Sequence, residues 1–413
     1  MPVDLRPIGP PKQYPPPGPR LRTWLFVWIA CVILTDGAVL LLWPHGMPAQ
    51  GAWFLFLVAG LPNAIFGALF MMHRIGYESA HLRTLYYNEH REKRRRRMIA
   101  RGQQALHLLD YAYQLPLKDG TLARTVTDGP ELLKAQVLRD GTTIVRHTRL
   151  PDEPDSDTSD PRLLQVLHQA SLTRDGKLYA QLLAPLAATL EKLLHVGPAP
   201  AVRLVVADPA RSGHALALMH TVVGAFGLPA LECSMVPGSD GLTPVDAWLD
   251  ANETRPLLVI AVQLHGVPPD GSAEGGVALL FASETARLPE GITARATLHR
   301  PVWRQPAELA EAIALATLWG KSAPAAIERG WLTGFDADEH TMIAGACRRT
   351  GLTALTGYGA WCAPDRAIGH AGVAAGWLAL VAATESGSSK PQLIMNRVQT
   401  MQAAILYAHP EPT

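Results

Sequence analysis

One histidine at the start of a glycine-rich helix is the residue whose chemistry the sequence shows most clearly. The stretch from Ile368 to Gly376 reads IGHAGVAAG, and an apolar helical run follows it. Small residues on successive turns let this backbone approach a central helix of another half closely. An imidazole in such a place can carry a proton, stabilise an oxyanion or activate a thiol. The residues that form the motif are Gly369, His370, Gly372, Ala375 and Gly376.

A thiol lies near this histidine in the sequence. Cys362 precedes His370 by eight residues, and the two could meet across a turn as a thiolate–imidazole pair. The alternative is a buried structural cysteine and a histidine that caps the helix. The other cysteines, Cys31, Cys233 and Cys347, form no C-x-x-C pair. Neither a zinc site nor a disulfide framework is therefore predicted, and the bulk of the chain fits a reducing compartment.

The remaining polar clusters predict neither a metal ion nor a cofactor. His214 and His220 lie six residues apart on one predicted helix, whereas ligands that share a helical face lie three or four apart. Residues 336–340 contain three acidic side chains and a histidine at the start of a helix, where capping and the helix dipole explain them. The chain contains no P-loop, and no G-x-G-x-x-G sequence follows a strand.

Two apolar runs near the N-terminus predict a transmembrane helical hairpin. Thr23–Trp43 contains one charged residue, Asp36, and Ala52–Met72 contains none. Each is long enough to cross a hydrocarbon core of about 30 Å at about 1.5 Å per residue. Because a charge is costly in hydrocarbon, Asp36 needs a polar partner, for which Asn63 on the second run is the candidate.

Basic residues flank both apolar runs and are absent from the turn between them. The positive-inside rule therefore places both termini and the large C-terminal part in the cytoplasm. One basic cluster follows the second run and consists of Arg91, Lys93, Arg94, Arg95, Arg96 and Arg97. It is expected to contact anionic lipid headgroups or to act only as a topology signal on a solvated helix. The formal net charge of +1 over 413 residues predicts no nucleic-acid partner.

Composition divides the chain into five predicted segments. They are an extended, mobile proline-rich tail (1–22), the transmembrane hairpin (23–72), a basic juxtamembrane helix (73–113), a β-hairpin around Asp140-Gly141 with an acidic linker (114–161), and an α/β domain (162–413). In the last segment, apolar runs such as Leu257–Leu264 alternate with amphipathic helices, which indicates a mixed, largely parallel sheet. Leu352–Tyr358 is predicted to be a further strand. Two successive halves of similar order suggest an internal duplication.

The α/β region resembles the thiolase-like condensing enzymes, the ketoacyl synthases and their relatives. Gly369–Gly376 is similar to the family's GH-x-x-x-AAG helix, and Glu274–Leu280 is similar to its EGA-x-A-L-x-L strand. The segments around Leu393–Asn396 and Ala403–Leu406 resemble its closing hairpin. The resemblance implies a thiolase-like duplicated α/β domain with mixed central sheets, preceded here by the two-helix transmembrane hairpin. A homodimer is among the assemblies that it implies.

The same resemblance implies a nucleophilic cysteine at a helix N-terminus and a first histidine that assists it. At the corresponding places the chain has Pro237–Leu242 and Thr333–Asp336, which contain no Cys and no His. Of the implied catalytic residues, only His370 is present. These departures predict a pseudoenzyme without condensing activity, in which His370 and its glycines serve packing.

The combination of a membrane hairpin, a basic helix and a degenerate thiolase-like domain is similar to the type VI lipase adaptor family of bacterial type VI secretion systems. That resemblance implies a non-catalytic inner-membrane adaptor that binds a phospholipase effector and helps to load it on the VgrG spike protein. Two hypotheses compete with it: an active condensing or acyl-transfer enzyme that acts near the membrane, and a plain membrane scaffold. A reactive thiol beside His370 would distinguish the enzyme from the other two.

Overall fold

A computed structural model of the chain describes residues 3–16, 20–44, 46, 48–117, 120–129, 131–137, 142–151, 160–169 and 172–409. Two units make up the chain: a smaller one, Asp4–Met98, and a larger one that contains Ile99–Thr413. The Asp140-Gly141 turn and residues 152–159 of the predicted linker lie outside the described residues.

The smaller unit consists mainly of two long apolar helices. α1 is Leu21–Leu42, and a second helix runs without a break from Ala52 to Gly102 through α2 (Ala52–Leu55), a π-helical turn (Phe56–Gly60) and α3 (Leu61–Gly102). Their most apolar windows have a mean hydropathy of 2.4 and 2.0, and only 6% of each window is buried. A core helix of a soluble protein would be mostly buried, so both helices are candidate membrane spans.

A tryptophan, and not Asp36, is the partner of Asn63. Trp28 Nε1 donates to Asn63 Oδ1 at 2.9 Å, and Asn63 Nδ2 donates to the Ala59 carbonyl at 2.7 Å. The Asp36 Oδ1 atom is buried without a hydrogen-bond partner among the described residues. The predicted Asp36–Asn63 pair is therefore wrong, because the bonds of Asn63 go to Trp28 and Ala59 and Asp36 Oδ1 has no partner among the described residues.

The basic helix is shorter at its C-terminal end than the sequence predicts. α3 ends at Gly102, and Ala105–Gln114 is a strand of the larger unit instead of a continuation of the helix to residue 113. A Cβ at Gly102 would overlap the ring of Trp319, so only glycine allows this approach. The α/β domain accordingly begins at Ala105, ahead of the predicted boundary at residue 162.

The described strands of the larger unit form two sheets. They are β1 (Ala105–Gln114), β2 (Lys134–Val137), β3 (Ile144–Thr148), β4 (Ala201–Val206), β5 (Glu232–Pro237), β6 (Leu257–Gln263), β7 (Ser272–Ala273), β8 (Gly275–Ser283), β9 (Ala296–His299), β10 (Val302–Arg304), β11 (Arg329–Thr333), β12 (Trp361–Cys362), β13 (Gln392–Arg397) and β14 (Met401–Ala408). The small sheet has the order β2-β3-β7, in which β2 and β3 are the antiparallel strands of the predicted hairpin.

The large sheet contains one strand arrangement twice. Its order is β12-β11-β13-β14-β9-β1-β8-β6-β4-β5, and β10 pairs with β14. With β10 left out and the strands of each half numbered along the chain, both halves have the order third, second, fourth, fifth, first from the outer edge of the sheet to its centre. In each half the second, third and fourth strands are parallel, and the fifth is antiparallel to both of its neighbours. The halves join where β1 pairs with β9. This repeated topology confirms the predicted duplication.

Helices pack on both faces of the large sheet. They are α4 (Leu122–Asp128), α5 (Pro161–Gln169), α6 (Arg174–Leu183), α7 (Ala187–Val196), α8 (Ser212–Ala225), α9 (Thr243–Asp250), α10 (Leu309–Trp319), α11 (His340–Thr350), α12 (Pro364–Ile368) and α13 (Ala375–Glu385). In β6, Leu257 and Val259 lie in one core with residues of α9 and α13. Leu258 and Ile260 point to the opposite face and lie in a second core with residues of α6 and α8. Burial on both faces explains the uninterrupted apolar run of β6.

One predicted strand of the second half is wrong. Leu352–Tyr358 contains a 3-10 turn at Thr353–Thr356, and the strand at this place is Trp361–Cys362. Leu352 and Leu355 are both fully buried. Their apolar character therefore reflects a turn packed into the core and not alternation along a strand.

The glycine-rich segment leads into the centre of the larger unit. A 3-10 turn at Gly372–Ala374 precedes α13, in which every residue from Ala375 to Thr384 is buried. α13 packs on β13, β14 and α4, and α4 is the helix that follows β1 in the first half. A Cβ at Gly376 would lie 2.7 Å from the Asn396 Cγ atom on β13, so a larger side chain has no room.

We expect Gly376→Leu to destabilise the larger unit by about 1–3 kcal/mol, because the added side chain must displace Asn396. Gly213 in α8 has nothing within 4 Å of an added Cβ, so Gly213→Leu is the matched control. The control should be neutral or slightly stabilising, since leucine favours a helix by about 0.8 kcal/mol over glycine. Denaturant unfolding of the full chain in detergent measures both variants, and equal stabilities would contradict this packing.

Candidate active site

Residues from both halves meet at the carboxyl ends of the parallel strands. β6 ends at Gln263, whose side-chain oxygen accepts a hydrogen bond from Val373 N at 3.3 Å. β11 ends at Thr333, close to the loop that carries His370. In open α/β sheets, ligands bind in the crevice outside these strand ends. The edge is therefore the place where a site is expected.

Asp365 and His370 form a hydrogen-bonded dyad at this edge. His370 Nδ1 lies 3.2 Å from Asp365 Oδ2. Thr333 Oγ1 donates to Asp365 Oδ1 at 2.9 Å, and Gly334 N donates to Oδ2 at 2.6 Å. The carboxylate is thus held in place by two donors besides the imidazole, and this fixes the orientation of the His370 ring.

The imidazole of the dyad is both basic and accessible. Its hydrogen bond with Asp365 raises the pKa of His370 above the usual value. The side chain is 48% exposed, and its Nε2 atom makes no hydrogen bond with any described residue. His370 can therefore accept a proton from a bound molecule and return it, which is the work of a general base and acid.

Glycines and backbone hydrogen bonds fix the loop that carries His370. Gly369 has a φ of +88° and Gly372 a φ of +53°, values that other residues rarely adopt. His370 N donates to the Gly271 carbonyl at 2.8 Å, and Ala273 N donates to the His370 carbonyl at 3.0 Å. The backbone at His370 is therefore held against β7 on both sides of the residue.

The thiols of the larger unit, all of which lie in described segments, are not activated. Cys362 makes no hydrogen bond with His370, and burial raises the pKa of Cys362. Burial likewise raises the pKa of Cys233, and that of Cys347 to about 11. Because the thiolate is the nucleophilic form, these thiols are poor nucleophiles at neutral pH. Of the two alternatives for Cys362 and His370, the thiolate–imidazole pair is therefore not formed.

The turn at Gly238 is closed by a valine from the other half. The family resemblance implies a nucleophile at the start of α9, and Gly238 lies in the 3-10 turn that precedes this helix. A Cβ at Gly238 would overlap Val373 Cγ1 and lie 3.1 Å from the Val206 carbonyl oxygen. Any side chain at Gly238 would have to displace Val373, so this position itself supplies no nucleophile.

Gln402, which the sequence reasoning missed, joins the two halves beside this turn. Its Nε2 donates to the Asp240 carbonyl at 2.7 Å, and its Oε1 accepts from Leu242 N at 2.9 Å and from Asn396 Nδ2 at 2.8 Å. The residue is only 1% exposed, so these bonds replace the water that it loses. A glutamine within the apolar closing strand β14 was the one available signal.

A second polar cluster supports the loop of His370. His147 Nδ1 lies 2.8 Å from Ser272 Oγ on β7. His147 is 2% exposed, and burial lowers its pKa, so the ring is neutral and closed to substrates. Glu274 nearby accepts two hydrogen bonds from Arg174, at 3.0 and 2.6 Å. These buried contacts hold the segment on which the His370 backbone is bonded.

The other candidate residues from the sequence cap a helix or form ion pairs on a helix surface. Asp336 and Glu339 form a capping box, as the capping explanation predicts. No group of three or more His, Cys, Asp or Glu side chains among the described residues could hold a metal ion. The basic cluster lies on α3, where Lys93 pairs with Glu89 at 2.6 Å and Arg96 with Glu92 at 3.3 Å.

Comparison with solved structures identifies the fold. The chain is similar to a structure titled as a type II PKS acyl-carrier protein in complex with its ketosynthase bound to the hexaketide, AntDE:AntF. The TM-score is 0.53, with 12% identity over 74% of this chain and 99% of that chain. The PfaC keto synthase–chain length factor gives 0.50, with 12% identity over 75% of this chain and 43% of that one. The chain therefore has the thiolase-like α/β fold with mixed sheets.

Comparison of sequences is less informative. No protein-family model matches the chain. An 8-amino-7-oxononanoate synthase of Methylobacterium sp. (strain 4-46) is 37% identical over 89 residues, which is 21% of this chain and 23% of that protein. The chain spans about a quarter of the length of this curated relative, so the activity of the whole enzyme does not transfer.

The prediction of a pseudoenzyme is contradicted by these comparisons. The similar proteins are named as enzymes, a synthase in the sequence comparison and ketosynthases among the structures. The departures at Gly238 and Gly334 therefore change which residues can act, and they are not by themselves evidence that activity is absent.

We expect Asp365→Asn to lower the pKa of His370, because a neutral amide stabilises the imidazolium less than a carboxylate does. NMR titration of the histidine ring protons measures the shift. His340 is the internal control, since its Nε2 lies 2.6 Å from an Arg366 nitrogen and has no contact with Asp365. An unchanged His370 pKa would show that the dyad does not form in solution.

Asp365→Asn should also lower the stability of the folded chain, by an amount that depends on pH. The pKa of His370 is raised in the folded chain, so its charged contact stabilises fully below the unfolded value of about 6.5. That stabilisation is lost as the pH rises through the folded pKa. The loss of stability on Asp365→Asn should therefore be larger at about pH 5.5 than at about pH 8.5. The lost hydrogen bonds to Thr333 and Gly334 contribute equally at both.

Proposed function

We propose that the chain is a membrane-anchored enzyme that transfers an acyl group from a thioester to an acceptor, with His370 as the general base. The Asp365–His370 dyad carries the proposal, because it offers an accessible imidazole of raised basicity at the strand ends of a thiolase-like fold. The similar solved structures are ketosynthases, and one title describes a hexaketide bound to the enzyme.

The dyad favours a direct transfer. His370 Nε2 accepts the proton of an acceptor hydroxyl or amine while the acceptor atom bonds to the thioester carbonyl carbon. The carbon–sulfur bond then breaks, and the imidazolium gives the proton to the departing thiolate. The products are the acylated acceptor and a free thiol. Asp365 holds Nδ1 and stabilises the imidazolium between the two proton transfers.

A direct transfer also accords with the residues that are missing. A covalent acyl-enzyme requires an activated nucleophile, but Gly238 offers no side chain and the Cys362 thiol has a raised pKa. The donor in this proposal is an acyl-CoA or an acyl-carrier protein, the latter because the similar ketosynthase is titled as a complex with its carrier. No metal or other cofactor is required for the step.

The apolar helices are proposed to anchor the chain in a bacterial inner membrane with both ends in the cytoplasm. Lys and Arg flank both helices and are absent from the turn between them. Lys12 and Asn88, which lie on either side of the hairpin in sequence, form two hydrogen bonds with each other. They can do so only from one side of a membrane. In the unbroken helix, Lys93–Arg97 would lie about 30 Å beyond Met72 on the cytoplasmic side, where the cluster acts as a topology signal.

A second function is the binding of a protein cargo, as the resemblance to type VI lipase adaptors implies. The closed turn at Gly238 favours it, because Val373 fills the space that a covalent intermediate would need. The partners would be a phospholipase effector and the VgrG spike protein, bound in addition to any acyl chemistry. Co-purification of the full chain with both proteins tests this candidate, and failure of the wild-type chain to retain either would remove it.

We expect the full chain in detergent to release free thiol from acyl-CoA or acyl-carrier thioesters in step with formation of acylated acceptor. His370→Ala should lower the rate by about 10²–10⁴-fold while the chain stays folded. Asp365→Asn should retain more activity and shift the pH profile to lower pH. Cys362→Ser is the control and should remain active. Activity that depends on Cys362 and survives His370→Ala would contradict direct transfer.

Reporter fusions should show a periplasmic turn and a cytoplasmic larger unit. A reporter that is active only in the periplasm should work when fused at Gly46 and fail when fused after Arg101, because basic residues flank both apolar helices. A second reporter that is active only in the cytoplasm is the control and should give the opposite pattern. Periplasmic activity of the fusion after Arg101 would overturn the orientation.

A further inference from the structure

Part of the proline-rich tail that the sequence predicts to be mobile contacts a helix in the structure. Residues 9–14, here called the N-terminal strap, lie along the polar part of α3 within the smaller unit. The strap has neither helical nor strand structure, and its sequence is Gly-Pro-Pro-Lys-Gln-Tyr followed by Pro15. Residues before proline avoid helical angles, so the sequence itself favours an extended strap.

The side chain of Asn88 binds the backbone of the strap. Its Oδ1 accepts a hydrogen bond from Lys12 N at 2.9 Å, and its Nδ2 donates to the Lys12 carbonyl at 2.9 Å. One turn further along α3, Arg91 Nε donates to the Gly9 carbonyl at 2.8 Å. The Asn88 amide bonds both the backbone N–H and the backbone C=O of Lys12. The two groups can point to the same amide only when Lys12 is extended.

Aromatic rings of α3 contact the side chains of the strap. The Lys12 ammonium lies 4.3 Å from the centre of the Tyr87 ring, within the range of a cation–π contact. The Tyr14 ring lies 5.2 Å from the His81 ring, which in turn stacks on Tyr77 at 6.1 Å. α3 thus contacts the cationic side chain of Lys12 and, two residues later in the strap, the aromatic ring of Tyr14.

The spacing of these contacts fits an extended polyproline segment. From Gly9 to Tyr14 the strap advances five residues, about 16 Å at about 3.1 Å per residue. From Arg91 back to His81 the helix covers ten residues, about 15 Å at about 1.5 Å per residue. The contacts therefore stay in register over the whole strap only if it is extended and runs antiparallel to α3.

We propose that the face of α3 formed by His81, Tyr87, Asn88 and Arg91 is a binding site for an extended, proline-flanked peptide, and that the strap of the same copy occupies it in the resting protein. The ligand has a basic residue and an aromatic residue two positions later, between prolines. Preformed extended peptides bind aromatic-lined grooves with a small loss of conformational entropy. A partner peptide of this chemistry would displace the strap and take over its contacts.

A chain that lacks residues 4–16 tests the site directly, with a fluorescent peptide of the sequence Asp4–Pro16 as the probe. The deletion variant in detergent should bind the peptide saturably, and the wild-type chain should bind it at least tenfold more weakly because its own strap fills the site. Asn88→Ala in the deletion variant should weaken binding at least tenfold. Tyr86→Ala, on the same turn, is the matched control, since Tyr86 is 61% exposed and has no strap contact.

Three outcomes of the binding assay would overturn the proposal: no binding to the deletion variant, equal binding to both chains, or no effect of Asn88→Ala. If the deletion variant loses helix content, trypsin cleavage after Lys12 in the otherwise intact chain replaces the binding assay. Asn88→Ala should speed this cleavage several-fold, and an unchanged rate would refute a docked strap. A dimer that Asn88→Ala converts to a monomer would place the strap on a second copy and refute occupancy by the same one.

Discussion

Val373, packed on the backbone of Gly238, is the contact on which the arrangement of the site depends. It brings the carboxyl edges of the two half-sheets together at a place where neither half has room for another side chain. Gly372 makes the same approach to Gln263, whose side-chain oxygen accepts from Val373 N. Both approaches need a glycine, because a Cβ would overlap the opposite half. With this space filled, chemistry has to use groups on the open side of the glycine-rich loop.

Duplication explains why the two halves are equivalent in topology and different in use. Their identical strand order places the carboxyl ends of both sets of parallel strands at comparable positions. In the first half this edge contributes backbone at Gly238 and an amide at Gln263. In the second half it contributes the carboxylate of Asp365 and the imidazole of His370. A repeated fold thus provides two potential sites, and among the residues that the structure describes only the second shows a hydrogen-bonded carboxylate–imidazole dyad.

Local patterns predicted many of the helices and strands, with exceptions such as Leu352–Tyr358, whereas long-range contacts decided the site. The apolar run of β6 and the small residues around His370 identify themselves in the sequence, because burial and close approach restrict residue types locally. Asp365 lies in the short helix α12, five residues before His370, and nothing local distinguishes it. Its role depends on Thr333 and Gly334, which only the parallel pairing of β11 and β12 brings near. The two-residue strand β12 is too short to show alternation.

The exposure of His370 sets a condition on any transfer that it catalyses. A base that is open to solvent activates water as readily as another acceptor, and water is present at far higher concentration. The protein fixes Asp365 with two donors besides the imidazole and so controls the basicity and orientation of the ring. It leaves the outer nitrogen uncovered. Exclusion of water must then come from the substrates themselves, so transfer is favoured over hydrolysis only when a bulky acyl donor and its acceptor together cover His370.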